Sequence, residues 1–315
     1  MDKISLIIPC FNEQESINIF YDEVSKIEKS IDNVKFEYLF IDDGSTDNTL
    51  PIIKKIMKLN KDIHFISFSR NFGKEPGMYA GLCNATGDYA VVIDVDLQHD
   101  PKLIKDMYEI LKTKDYDSVA TKRTNRKGEP KIRSFFSNLY YKIMSKLTKI
   151  EVIDGETDYR MMTKQMYKNV IAMTEYNRFT KGIFSYVGFK TKWITQPNIK
   201  RVAGSTKWSF FNLFKYSLDG LTAFSTIPLI ISSIIGLIFC LISFIMIVLI
   251  VVKTIIYGNP TDGWPSLICV IFMVSGIQLF CIGIIGWYLS KIYLETKKRP
   301  IYIIKETDKD VKENN

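Results

Sequence analysis

Short apolar runs alternate with polar turns and amphipathic stretches over roughly the first 200 residues, whereas long uncharged apolar stretches dominate after residue 225. In the first part, Ile4 to Pro9 predicts a buried strand that ends in the polar turn Cys10 to Glu15. Ser16 to Ile31 follows as a helix, because Ile17, Phe20, Val24 and Ile27 fall near helical spacing. Phe36 to Ile41, Ile63 to Phe68 and Tyr89 to Ile93 predict three more strands, and Leu50 to Leu59 and Pro76 to Ala85 the helices between them. Strand and helix alternating in this way argue for an α/β fold with a doubly wound, mostly parallel, Rossmann-like sheet. Ser118 to Thr121 adds a strand, Arg133 opens an amphipathic helix running to about Leu147, and Asp154 to Arg160 reads as a loop. Turn formers such as Asp42-Asp43-Gly44-Ser45 sit at strand ends, where open α/β sheets place their ligands.

In the second part Ile227 to Val252 carries no charge. Roughly 25 residues make about 38 Å of helix, enough to cross a hydrocarbon core of about 30 Å with tilt. Ser266 to Leu289 is a second such run, and Trp208 to Tyr216, flanked by Arg201, Lys207 and Lys215, has the character of an interfacial helix. The expected organisation is a soluble domain over 1–200, a juxtamembrane region over 201–225 and two transmembrane helices over 226–290 with an external link at 253–265. A charged tail over 291–315 follows, disordered from Lys305 onward. The link carries one lysine and one aspartate, while the outer flanks carry Arg201, Lys207 and Lys215 on one side and Lys291, Lys297, Lys298 and Arg299 on the other. The positive-inside tendency therefore puts both flanks, and the soluble domain, in the cytoplasm.

A net charge of +8 suits nucleic acid, an anionic bilayer or a phosphorylated substrate, and by itself does not choose among them. The basic residues gather beside the apolar runs instead of forming a separate stripe, which argues against nucleic acid. Met1 to Lys3 leads into a strand-like run, so no signal peptide is expected. The five cysteines show no C-x-x-C spacing and read as free thiols in a reducing compartment. His64 and His99 are the only histidines, leaving almost no material for a zinc site or a catalytic triad. Neither G-x-G-x-x-G nor G-x-x-x-x-G-K-[ST] occurs, so neither a dinucleotide cofactor nor a P-loop triphosphate is expected.

The candidate chemistry lies in Asp94-Val95-Asp96, where a β-branched run ends in two acids one residue apart. In a strand both side chains would point to one face. An isolated D-x-D is more often a strand end and a solvated turn, but Mg²⁺ takes one or two carboxylates plus substrate phosphates and water. Asp94, Asp96 and Gln98 are thus candidate ligands for Mg²⁺ or Mn²⁺ bound to a diphosphate.

Taken together, Ile8 to Glu13, Ile41-Asp42-Asp43-Gly44-Ser45-Thr46-Asp47, Ser69-Arg70-Asn71-Phe72-Gly73-Lys74, Asp94 to Gln98 and Thr157-Asp158-Tyr159-Arg160 resemble the inverting family-2 glycosyltransferases of GT-A fold. Among these the chain is similar to the polyprenyl-phosphate glycosyltransferases, the bacterial relatives of dolichol-phosphate mannose synthase. The likeness extends through Arg201 to Trp208 and the tail Gly286 to Tyr302. It implies that Pro9, Asn12, Glu13, Asp42 and Asp43 hold the nucleotide, with Asn71, Gly73, Lys74 and Asp94 near nucleotide and sugar. It assigns Asp158 and Asp96 to catalysis, and Arg123, Arg133, Ser137, Arg160, Arg201 and Lys207 to the acceptor's phosphate, for which guanidinium forks are suited. Glu156 departs from the smaller residue that relatives often carry there.

The implied reaction moves a monosaccharide, glucose or N-acetylglucosamine from UDP, onto undecaprenyl phosphate, supplying lipid-linked sugar for cell-envelope glycans. A lipid phosphate with a second pKa of about 6 is mostly dianionic at neutral pH, so Asp158 would orient more than deprotonate. The resemblance also implies a homo-oligomer, with a tetramer as one form, and a flippase and downstream transferase as pathway partners. Two alternatives stay open: a processive polysaccharide synthase, although neither Gln-x-x-Arg-Trp nor additional spans are present, and a non-catalytic nucleotide-binding membrane scaffold.

Overall fold

The structure, a computed structural model, describes residues 1–123, 153, 155–197, 219–220, 222–258 and 263–313. Arg133, Ser137, Arg201 and Lys207 lie outside the described residues, as do the expected helix from Arg133 and the aromatic stretch Trp208 to Tyr216. The chain forms two compact units, Met1–Gly220 with Pro300–Asn315, and Leu221–Arg299.

The first unit runs β1 (Asp2–Cys10), α1 (Ile17–Glu28), β2 (Val34–Asp42), α2 (Thr49–Met57), β3 (Ile63–Phe68), α3 (Lys74–Asn84), β4 (Tyr89–Val92) and α4 (Leu103–Lys112). There follow β5 (Ser118–Arg123), β6 (Glu156–Thr163), α5 (Lys164–Ala172), α6 (Thr180–Tyr186) and β7 (Thr191–Gln196). After the second unit's α7 (Ile227–Tyr257) and α8 (Trp264–Thr296), the chain closes with β8 (Ile304–Thr307) and α9 (Asp308–Glu313). One sheet joins all the strands in the order β7-β5-β6-β4-β1-β2-β3-β8.

Strands β1 to β4 are parallel, as their buried apolar runs predict. Alternate residues of these strands face opposite layers. Ile4, Leu6, Ile8, Phe36, Tyr38 and Phe40 pack with Ile17, Phe20 and Val24 of α1, Ile53 of α2 and Ile104 and Met107 of α4. On the other face lies α3, whose Gly81 comes so close to Ile7 that a Cβ there would stand 2.3 Å from its Cγ2. The chain builds β1, β2 and β3 outward and then returns to place β4 on the opposite side of β1. This is a topological switch point, and the carboxyl ends of β1 and β4 open there.

Three expectations change. The stretch Asp154 to Arg160 is not all loop: from Glu156 it is strand β6, antiparallel to both β4 and β5. Its mixed polar and apolar pattern hides a strand in which Arg160 pairs with Glu156 and Asp158 with lysines from other elements. The tail expected to be disordered from Lys305 is largely ordered, because β8 pairs antiparallel with β3. Lys54 and Glu306 meet at 2.6 Å, His64 and Asp308 at 2.9 Å, and Tyr302 stacks on Phe68 with ring centroids 4.9 Å apart. Finally, the long apolar helices extend beyond the uncharged runs, narrowing the link expected at 253–265 to 258–263.

In the second unit α7 and α8 are both long and apolar enough to cross a membrane. Leu241, Phe244, Phe272 and Leu279 are exposed. Such a surface suits hydrocarbon as solvent, since a contiguous apolar patch of this length is rare on a water-soluble monomer.

Candidate active site

At the switch point a cleft of about 360 Å³ is lined by Pro9, Cys10, Phe11, Glu13, Asp43, Asn71, Gly73, Lys74, Gly77, Asp94, Val95 and Asp96. Its size falls in the range of about 300–1,000 Å³ usual for small-molecule pockets. Eight of the residues picked out by sequence, Pro9, Glu13, Asp43, Asn71, Gly73, Lys74, Asp94 and Asp96, therefore converge on one cavity.

Three loops shape this cleft. Asn12, which has φ 54°, joins two of them: its backbone N–H donates to Ser45 Oγ at 2.9 Å, and its Oδ1 accepts from Thr46 N at 2.9 Å. Gly44, at φ 69°, lets the loop after β2 lie against the loop after β3, where a Cβ would stand 2.5 Å from the Arg70 carbonyl carbon. Asp43 fastens the same two loops by accepting from Phe72 N at 2.6 Å and Gly73 N at 2.9 Å. Burial nonetheless raises the Asp43 carboxyl above its ordinary value, outweighing those two N–H donors. Asp42 is buried, accepting from Ser67 Oγ at 2.7 Å and Ser45 N at 3.1 Å. Asn12, Asp42 and Gln98 are thus not in the cleft lining; the first two brace the loops that form it.

Asp94 and Asp96 do not project from a strand. Strand β4 ends at Val92, and the acids stand in the turn beyond it, where Leu97 has φ 56° and Gln98 N donates to Asp96 Oδ1 at 3.1 Å. Both reach the cleft because of that turn rather than through strand alternation.

Asp158 of strand β6 is not itself in the cleft lining, but it pairs with Lys74, which is. The strand's register sets Arg160 opposite Val92, the last residue of β4, and Asp158 and Asp94 lie just beyond that pair on the two segments. Lys74, the first residue of α3, stands between them. Its Nζ lies 2.7 Å and 2.8 Å from the two Asp94 carboxylate oxygens and 2.7 Å from Asp158 Oδ2. Burial alone would lower this ammonium's pKa, but Asp158 and Asp94 outweigh it and hold the group well above its ordinary range. Burial likewise pulls Asp158 upward, yet Lys74 and Lys181 hold it well below the usual carboxylate range. Both groups are therefore charged at neutral pH.

Residues that the sequence did not single out complete the arrangement. Lys181 Nζ lies 4.0 Å from Asp158 Oδ1 and donates to the Glu156 carbonyl at 2.9 Å. Glu75, next to Lys74, accepts from Thr180 N at 3.0 Å and from the Thr180 hydroxyl, tying α3 to α6 and so fixing the spacing of the two lysines. His99 is buried, with Nε2 3.9 Å from Asp94 Oδ2 and Nδ1 held by the Gln196 side chain. Burial lowers its pKa against the pull of Asp94, which keeps the ring neutral near pH 7. These contacts join residues from separate elements; His99, within the Asp94 to Asp100 stretch, and Glu75, beside Lys74, lay next to residues already singled out, whereas Lys181 and Thr180 did not.

Arg160, expected at the acceptor's phosphate, is buried and is not in the cleft lining. It is 2% exposed, its Nη2 donates to Glu156 Oε1 at 2.7 Å, and its guanidinium lies over the rings of Phe184 at 4.3 Å and Trp193 at 5.4 Å. Glu156, the departure noted in the sequence, is its counter-ion. Arg123 is half-buried at the end of β5, paired across to Gln196 of β7, and is not in the cleft lining.

The donor set decides what cation the cleft suits. Among the described residues no three His, Cys, Asp or Glu side chains converge as a metal cage. A hard divalent ion does not need one when ligand phosphates and water supply the other oxygens. Asp94 already holds a cation, the Lys74 ammonium, so the carboxylates fit Mg²⁺ or Mn²⁺ completed by a phosphorylated ligand.

Several known proteins resemble this chain. Residues 5–171 match the family Glycosyl transferase family 2. A prophage bactoprenol glucosyl transferase homolog of Escherichia coli (strain K12) is 40% identical over 307 residues, covering 98% of this chain and 100% of the relative. The bactoprenol glucosyl transferase of Shigella phage SfX is 39% identical over 303 residues, covering 96% of this chain and 99% of the relative. Among solved structures, glucosyl-3-phosphoglycerate synthase from Mycobacterium tuberculosis aligns over 70% of this chain and 78% of its own with 17% identity and a TM-score of 0.47. With more than half of its length matched by the family and near-complete relatives at about two-fifths identity, the chain belongs to glycosyl transferase family 2 and is a glycosyltransferase.

Proposed function

We propose that the protein transfers a hexosyl group, glucose from UDP-glucose, to undecaprenyl or a related polyprenyl phosphate with inversion at the anomeric carbon. The observation that carries this reading is the meeting of Asp94 and Asp158 on one ammonium at the switch-point cleft. The names of the full-length relatives, bactoprenol glucosyl transferases, support the sugar and the lipid.

In this reading Pro9, Phe11, Glu13 and Asn71 receive the nucleoside, and Asp94 and Asp96 would hold a divalent ion that binds its diphosphate. Such an ion would neutralise charge developing on the departing diphosphate. Lys74 and Lys181 supply two further positive groups beside the reacting carbon. A phosphate oxygen of the lipid forms the new bond to that carbon as the bond to UDP breaks, and the electron pair leaves on UDP. The lipid phosphate, with a second pKa of about 6, is already mostly dianionic, so Asp158 orients the acceptor and takes up no proton. Its strongly depressed pKa supports this role, because a base poised near neutrality is the opposite arrangement. Arg123, Arg133, Ser137, Arg201 and Lys207 are the proposed contacts for the acceptor phosphate.

The fold also supports a membrane setting. Strand β8 follows both apolar helices and pairs with β3, so the segments before and after the helices occupy one side of any bilayer. Two crossings would satisfy that condition, and the basic outer flanks support a cytoplasmic location for this side.

The test offers purified enzyme radiolabelled UDP-glucose, UDP-N-acetylglucosamine and GDP-mannose, with undecaprenyl phosphate and Mg²⁺ or Mn²⁺, followed by lipid extraction. Label should enter the lipid fraction from UDP-glucose in preference to the others. Label from none of them would overturn the reading, and preference for another donor would replace its sugar. Arg133→Ala should raise the KM for lipid phosphate with little change in that for the donor.

A further inference from the structure

The Lys74 ammonium lies on the same Asp94 oxygens that a divalent ion would use, 2.7 Å and 2.8 Å away, while also holding Asp158 at 2.7 Å. We infer that Lys74 is a built-in competitor for the metal position: without nucleotide it occupies Asp94, and it yields that carboxylate when a nucleoside diphosphate arrives with its cation. The inference rests on the reading that Asp94 and Asp96 serve a metal-bound diphosphate, and it adds an order of events to it.

Three observations support the exchange. Lys74 contacts both oxygens of Asp94, so a divalent ion reaching that carboxylate must take at least one of them from the ammonium, and the repulsion between the two cations favours full displacement. Lys74 does not need Asp94 to remain compensated, because Asp158 is bound at equal distance and the incoming phosphates bring further negative charge. The side chain is a third exposed in the cleft, so its head can shift without disturbing the core. Arg160 of β6 has no such freedom, being enclosed with Glu156, Phe184 and Trp193. The consequence is weak metal uptake by the resting enzyme and strong uptake once the diphosphate is present. Free cation is then not held in a cleft without substrate.

The experiment measures Mn²⁺ binding to the full-length protein in detergent by electron paramagnetic resonance of the free ion, with and without UDP. Wild-type protein should bind Mn²⁺ weakly alone and tightly with UDP. Lys74→Met should bind Mn²⁺ without UDP about tenfold more tightly than wild type. Lys74→Arg, which keeps a cation at the site, should resemble wild type and separates loss of charge from loss of packing. Asp94→Asn in the Lys74→Met background should remove the gain. Equal Mn²⁺ affinity of Lys74→Met and wild type without UDP, where wild type with UDP does bind the ion, would overturn the competition alone. Absence of Mn²⁺ uptake by wild type and both Lys74 variants, even with UDP, would overturn the metal reading and this inference with it.

Discussion

Two ion-pair clusters share one face of strand β6 and differ in what surrounds them. Lys74 with Asp94 and Asp158 lies in a solvent-reached cleft, each side chain retaining about a fifth to a third of its exposure. Arg160 and Glu156 are sealed, with side chains 2% and 0% exposed. In the first cluster one cation serves two acids, with a second lysine at 4.0 Å. In the second a single pair is enclosed by aromatic rings, and Arg160 Nε and Glu156 Oε2 are left buried without a hydrogen-bond partner. Like residue types thus perform different work. Where partners are shared and water can enter, charge is available for exchange with a ligand; where the pair is enclosed, it serves to hold strand β6 against α6 and β7.

The largest expected difference concerns activity. Asp96→Ala should lower transfer at least about 10²–10³-fold, the scale for losing a group that supports developing charge, while leaving the thermal midpoint in detergent within a few degrees of wild type. Retained activity in this variant, above all in the presence of chelator, would remove Asp96 from the proposed chemistry. The sealed cluster should show the reverse. Arg160→Met leaves Glu156 buried without its counter-ion and should destabilise the catalytic unit by about 3–5 kcal/mol. Pairing it with Glu156→Leu should recover much of that loss, as read by denaturant unfolding; equal damage in single and double variants would mean that packing, not charge, is decisive.

A pH series sharpens the contrast further. The Asp158 pKa is depressed in the folded protein, so its contribution to stability is complete above the unfolded value of about 3.9 and is lost as pH falls through the lower folded value. The stability gap between wild type and Asp158→Asn should therefore hold steady from pH 5 to 8 and shrink below about pH 4. Thermal melts across that range measure it, and a gap that changes near neutrality would contradict the geometry. The smallest effect belongs to the tail: Lys54→Met removes a partly exposed pair with Glu306 and should cost about 0.2–1 kcal/mol.

How much of this was legible in the residues depended on the range of the forces involved. Strands β1 to β4 are visible because sheets buried on both faces need continuous apolar runs, and Ile4 to Ile8 or Tyr38 to Ile41 meet that need locally. The positions of Asp94, Asp96 and Lys74 could be named from their motifs, although the turn after Val92, not strand alternation, aims the acids. Strand β6 was concealed because Glu156, Asp158 and Arg160 look like a solvated loop until their partners Lys74, Lys181, Phe184 and Trp193 are brought from elsewhere in the chain. The buried setting of Arg160 was hidden for the same reason: its counter-ion stood four residues away and its aromatic cover much further. Strand β8, four residues with two charges, carries no local signal and is defined by the open edge of β3 and the Tyr302 stack.

That last strand bears on how the molecule is made. Because Ile304–Thr307 is encoded after both oily helices, a ribosome must finish those helices before the β3 edge can be covered. Until then the nascent sheet presents unpaired backbone to its surroundings, the kind of edge on which chains aggregate. Completion of the sugar-handling half therefore waits on delivery of the greasy half, so a chain whose synthesis halts between them leaves that margin uncapped.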